Sequence, residues 1–195
     1  MSDAPIRLAV IIGSVREGRF GPTVARWFVE EAEPRADLDI DVIDLADVKL
    51  GMTAPTMDPS PGTAEALGLV SPRLEAADAF VVVTPEYNHS FPAFLKNVID
   101  WHNAAWNAKP VGFVSYGGVS GGLRAVEHLR QVFAELHAVT VRDTVSFHTA
   151  WSQFGEDGRP TDPEGCNAAA KTMIDQLSWW AEALREARSK HPYGT

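Results

Sequence analysis

Residues 6–29 read IRLAVIIGSVREGRFGPTVARWFV. Leu8, Ala9, Val10, Ile11 and Ile12 form an apolar run of β-formers without polar alternation, the pattern of a strand covered on both faces. The run stops at Gly13. A short segment carrying Ser14, Arg16, Gly18, Arg19 and Gly21 leads to Pro22-Thr23, after which Val24, Trp27 and Phe28 recur at helical spacing. The stretch is therefore a central strand joined by a tight loop to a helix. Such a junction directs free backbone N–H groups and the positive end of a helix beyond the carboxyl end of the strand. With one hydroxyl and two guanidinium groups added, it is suited to a phosphate monoester, the alternative being a surface turn with two solvated arginines.

Other phosphate loops are excluded. No lysine precedes Lys49, so G-x-x-x-x-G-K followed by Ser or Thr is absent, and glycines at 13, 18 and 21 do not make G-x-G-x-x-G. The one cysteine, Cys166, lies far along the chain in a polar, acidic context unsuited to a thiol phosphatase.

The same grammar recurs downstream. Asp78–Thr84 (DAFVVVT) is a second unalternated strand, followed by Pro85-Glu86-Tyr87-Asn88-His89 and a helix faced by Phe91, Phe94, Leu95, Val98, Ile99 and His102. Pro110–Tyr116 (PVGFVSY) is a third, followed by a loop with four glycines around Val119 and Ser120 and by a helix with Leu123, Val126, Leu129, Phe133 and Leu136 inward. Leu38–Leu45 alternates, as expected of a strand near the sheet edge, and Val139–Phe147 supplies a last strand. Residues 46–63 hold prolines, glycines, Met52 and Met57, and read as irregular connection or as an adaptable pocket wall. Ala64–Ala77 is weakly helical and interrupted by Pro72. Asp162 offers a capping oxygen ahead of Pro163 for a final helix with Met173, Ile174, Leu177, Trp180, Ala181 and Leu184 as its covering stripe, and a tail starts at Lys190.

Strands alternating with helices make a doubly wound α/β fold, a five-stranded parallel sheet in the order 2-1-3-4-5 with helices on both faces. Its ligand crevice lies where the three unusual loops, 13–23, 84–91 and 116–122, emerge together. Tyr87 and the stiff Pro85 suit the face of a flat ring, and the glycine loop lets backbone N–H groups approach it. The three loops describe a pocket for a planar heterocycle bearing one phosphate.

Bulk properties are consistent with one domain over residues 1–195. The formal net charge is −9, which argues against a nucleic-acid surface. A single cysteine, no signal-like start and no membrane-length apolar run lead to the expectation of a cytoplasmic protein with no membrane partner. The six histidines lack metal-ligand spacing, and His89 reads as a rim residue.

GSVREGRFGPTVARWF, TPEYNHSFPAFLKNVIDW and SYGGVSGG together resemble the NADPH-dependent FMN reductase family, flavodoxin-like flavoproteins that include quinone, chromate and azo-dye reductases. The resemblance implies FMN as cofactor and NADPH or NADH as donor. It implies phosphate binding by Ser14, Arg16, Arg19, Phe20 and Gly21, with Thr23 at the helix start; Pro85, Glu86, Tyr87 and Asn88 along the isoalloxazine; and Ser115, Tyr116, Gly117 and Gly118 at its pyrimidine side. It further implies ping-pong hydride transfer through flavin N5 to a small-molecule acceptor, with no catalytic side chain, no metal, and a homodimer or homotetramer. Trp101, His102 and Trp106 could face such an interface or fill the core. The alternative is a flavodoxin-type electron carrier, against which Arg16 speaks. A receiver domain would need an acidic residue where Thr84-Pro85 stands.

Overall fold

The computed structural model describes residues 4–194. Met1–Asp3, at the start of the region read for a signal, and Thr195, at the end of the tail, lie outside the described residues.

Strand β1 (Ile6–Ile12) pairs in parallel with β2 (Leu38–Asp44) on one side and with β3 (Ala79–Pro85) on the other; β4 (Pro110–Tyr116) follows β3. The order is β2-β1-β3-β4-β5, where β5 is Val139–Thr140, and β6 (Val145–Phe147) pairs with β4 further along. Every residue of β3 and β4 is buried, which is why these strands read as unbroken apolar runs. β2 pairs only with β1 and buries little beyond Ile43, which is why it alternates.

Two cores sandwich the sheet. On one face Leu8, Val10 and Ile12 pack with Val24, Trp27 and Phe28 of α1 (Gly21–Ala32) and with Met173, Ile174 and Leu177 of α6 (Pro163–Lys190). On the other, Ala9 and Ile11 meet α3 (Pro61–Ala76), α4 (Ala93–Trp101) and α5 (Leu123–Glu135).

Several local expectations are corrected. The last strand is split: Arg142-Asp143-Thr144 leaves the ladder, and Arg130 donates to the carbonyls of Val141 and Arg142. Residues 46–63 are not wholly irregular. Asp44 caps the single-turn α2 (Leu45–Val48) by accepting from the Ala46 N–H, and α3 already begins at Pro61, with Ser60 accepting from the Thr63 N–H. Nor does Pro72 interrupt α3, because it sits on the exposed side, where water can satisfy the carbonyl it leaves free. Phe91 precedes α4 rather than lying on it. Asp162 occupies the cap position of α6 without a side-chain capping bond.

Trp106 is fully buried against Phe80 and Phe133, and His102 is buried with its ring bonded to Ser71 and the Val98 carbonyl, so both belong to the core and not to an exposed interface. Trp101 is half-buried and donates to the Thr53 carbonyl. Leu123 (46% exposed) and Trp180 (37%) fall off their inward faces. Among the described residues, no helix is long and apolar enough to cross a membrane.

Candidate functional site

The registers place the carboxyl ends of β1, β3 and β4 side by side. Ile12 lies opposite Val83, Pro85 opposite Tyr116, and the Gly13 N–H donates to the Val83 carbonyl at 2.9 Å. The three loops therefore leave the sheet as neighbours.

In the first loop, the backbone N–H groups of Ser14 through Gly18, and of Phe20 and Gly21, find no acceptor among the described residues. Only Arg19 N–H is engaged there, with the Arg16 carbonyl, across a turn that needs φ +63° at Gly18. Seven acceptor-free amides at a strand-to-helix junction are donors of the kind that can bind an anion. The Arg16 side chain is exposed and makes no hydrogen bond or ion pair among the described residues. Arg19 is committed instead: it forms a two-pronged pair with Asp44 and donates to the Ser14 carbonyl.

Beneath the loop, Ser14 is fully buried and its Oγ accepts from the Tyr116 hydroxyl at 3.1 Å. Burial pushes that hydroxyl well above the ordinary tyrosine range, the bond to Ser14 offsetting only part of the rise, so Tyr116 is a neutral donor. A Cβ on Gly21 would lie 2.6 Å from Ser14 Oγ and 2.9 Å from the Tyr116 hydroxyl, so only glycine lets α1 start this close. Phe20 is half-buried edge-on to Tyr116 and Phe154, and the Thr23 methyl faces Gly158.

The second loop is a tight reversal. Tyr87 and Ser90 exchange backbone hydrogen bonds of 2.8 and 3.1 Å, with Asn88 and His89 both at positive φ, and Tyr87 is half-buried at its edge. The Glu86 carboxylate, only 5% exposed, accepts from Ser120 Oγ (2.7 Å), Arg124 Nε (2.6 Å) and the Arg124 N–H (3.2 Å), and pairs with the Arg124 Nη2. Burial pushes this carboxyl up, but the bonds from Arg124 and Ser120 outweigh it and leave it below the usual range. Its charge is thus spent on tying the second loop to the third.

In the third loop Gly121 and Gly122 adopt φ +60° and +87°, and Ser115 and Ser146 both donate to the Gly121 carbonyl at 2.8 Å. Thr149 and Ala150 donate to the carbonyls of Gly118 and Gly117, and His148 Nδ1 bonds the Val119 carbonyl. The N–H groups of Gly118, Val119 and Ser120 lack acceptors among the described residues.

The sequence-predicted residues thus sort by place. Where the three loops leave the sheet, Arg16 and Asn88 are exposed and Tyr87, Gly117 and Gly118 half-buried. Ser14, Gly21, Pro85, Ser115 and Tyr116 are buried, and Arg19 and Glu86 are held by ion pairs. Sequence reasoning missed Asp44, Ser120, Arg124 and His148. Arg124 carried a signal, since a cation in the first turn of a helix opposes the helix dipole unless an acid meets it.

The model of the family described as "NADPH-dependent FMN reductase" matches residues 6–152, spanning all three loops. The chain belongs to this family. Membership makes it an oxidoreductase working with FMN and NAD(P)H. It is 40% identical over 120 residues to an NAD(P)H-dependent FMN reductase of Schizosaccharomyces pombe, covering 60% of either chain. It is 32% identical over 201 residues to a probable NADPH:quinone oxidoreductase of Oryza sativa subsp. japonica, covering 97% of both, and 35% identical to a quinone reductase of Escherichia coli K12, covering 70% of this chain and 73% of that one. The fold is similar to that of FerB, an NAD(P)H:(acceptor) oxidoreductase from Paracoccus denitrificans, with TM-score 0.67 and 23% identity over 91% of this chain and 98% of that one.

Proposed function

We propose that the protein reduces quinones or similar planar acceptors at the expense of NAD(P)H in a ping-pong cycle, with FMN held across the three loops. The observation that carries this reading is the row of acceptor-free amides from Ser14 to Gly18 beside the unpaired Arg16 guanidinium, at the tip of the central strand. A phosphate monoester matches that donor set: the amides supply directional hydrogen bonds, and Arg16 supplies the charge.

The remaining residues shape the ring site. Ser14 and Tyr116 make a neutral, buried floor, and Gly21 keeps the α1 terminus close to it. Tyr87 borders the ring, with Pro85 stiffening its approach. Arg124 and Ser120 bind the Glu86 carboxylate, so negative charge is held off the cofactor while the N–H groups of Gly118 to Ser120 stay free to donate to its polar edge. FMN held there would supply the two-electron relay between NAD(P)H and the acceptor. No side chain is assigned a covalent or acid–base role.

The test is anaerobic stopped-flow mixing of FMN-loaded protein with NADPH, then with a benzoquinone. The expected result is loss of the oxidised flavin absorbance in the first mix and its return in the second, with parallel lines in steady-state double-reciprocal plots. Flavin that stays oxidised in the first mix would overturn the reading in favour of an electron carrier.

A further inference from the structure

Arg19 and Asp44 stand 25 residues apart and meet at the rim of the first loop. Arg19 Nη1 and Nη2 contact Asp44 Oδ1 and Oδ2 at 2.5 and 2.6 Å, and both side chains are only 19% exposed. Arg19 Nη1 also donates to the Ser14 carbonyl at 3.0 Å, while Asp44 Oδ1 accepts from the Ala46 N–H at 3.0 Å. Asp44 is thus fixed from one side by the start of α2 and in turn fixes the guanidinium. A planar guanidinium held by both prongs has one orientation, and here one of its three remaining N–H groups, the second on Nη1, captures a backbone carbonyl.

That carbonyl matters because a trans peptide points its C=O and the following N–H in opposite directions. The chain has no cis peptide among the described residues, so holding the Ser14 carbonyl toward Arg19 turns the Val15 N–H the other way. The Val15 N–H is the second of the acceptor-free amides.

We propose that Asp44 and Arg19 are a positioning couple for cofactor phosphate: Asp44 locks Arg19, and Arg19 locks the Ser14–Val15 peptide with its N–H aimed into the anion site. In this arrangement Arg19 binds no phosphate itself. Its charge is neutralised by Asp44, which leaves Arg16 as the cation that meets the ligand. The proposal rests on the FMN reading given above and concerns the phosphate end of it alone.

The experiment compares FMN with riboflavin, which lacks the phosphate, by flavin fluorescence quenching in wild type, Asp44→Asn, Arg19→Lys and Arg16→Ala. In the wild type FMN binds more tightly than riboflavin. Asp44→Asn and Arg19→Lys should each weaken FMN about tenfold, the size of one lost hydrogen bond to a charged group, and leave riboflavin unchanged. Equal weakening of both flavins in Asp44→Asn and Arg19→Lys would make the pair merely structural and overturn the proposal. So would unaltered FMN affinity in both, when Arg16→Ala loses it. Failure of the FMN reading looks different: wild type and Arg16→Ala would then show no preference for FMN over riboflavin.

Discussion

The hydroxyl of Tyr116, the last residue of β4, donates to the Oγ of Ser14, just beyond β1, at 3.1 Å, although 102 residues separate them. Strand β3 lies between their strands, so the bond spans the sheet beneath the candidate site. Tyr116→Phe leaves Ser14 Oγ without this donor and is expected to cost about 1 kcal/mol, or about 2–4 °C in Tm for a chain of this size.

The same variant carries a pH signature. Burial keeps the folded Tyr116 protonated well above the ordinary range, whereas the unfolded chain releases that proton near pH ~10. The folded state then binds the extra proton, so this group makes stability fall as pH rises past that point. Urea denaturation should show a flatter decline above pH ~10 in Tyr116→Phe than in wild type.

Glu86 behaves in the opposite sense. Its carboxyl lies below the usual range because Arg124 and Ser120 outweigh the effect of burial, so its contribution is present above the unfolded value and is lost as pH falls through the folded one. Glu86→Gln should cost about 1–3 kcal/mol at neutral pH. That cost should shrink as pH falls from the unfolded value, pH ~4.3, through the lower folded one, where the native carboxyl protonates too.

Lys109 gives a third window. Its Nζ is buried and donates to the Leu74 and Glu75 carbonyls at the end of α3; burial, with Arg188 adding to it, lowers its pKa to about 8. The unfolded chain keeps this proton up to pH ~10.4, so between the two values the unfolded state binds more protons and stability rises with pH. Relative to Lys109→Met, wild type should gain up to about 3 kcal/mol over that interval. Chemical denaturation of both proteins across the interval reads the difference.

What the sequence made legible follows from burial. β1, β3 and β4 are covered on both faces, so an uninterrupted apolar run identifies each, and the alternation of strands with helices places the loops after them at one end of the sheet. The split of the last strand was hidden because Val139, Thr140, Val145 and Phe147 are β-formers on either side of the break, and what draws Arg142 and Asp143 away is a partner on another element, Arg130 or Gln176. Continuous α3 was hidden because a proline both removes a helix hydrogen bond and crowds the carbonyl four residues before it, so Pro72 reads as a break, whereas apolar contacts of Ala66, Val70 and Leu74 on the opposite side hold the helix through it. At the site, donors were legible by type but not by commitment. Arg16 and Arg19 look alike in the chain, and only the parallel pairing of β1 with β2, which brings Asp44 level with Ile12, separates the free guanidinium from the engaged one.

The most direct test of the phosphate site is isothermal titration of flavin-free protein with FMN, wild type against Arg16→Ala. Loss of one charge-assisted contact predicts binding weaker by about 1.5–3 kcal/mol. Equal FMN affinity in the two proteins would contradict the assignment of the first loop to the phosphate.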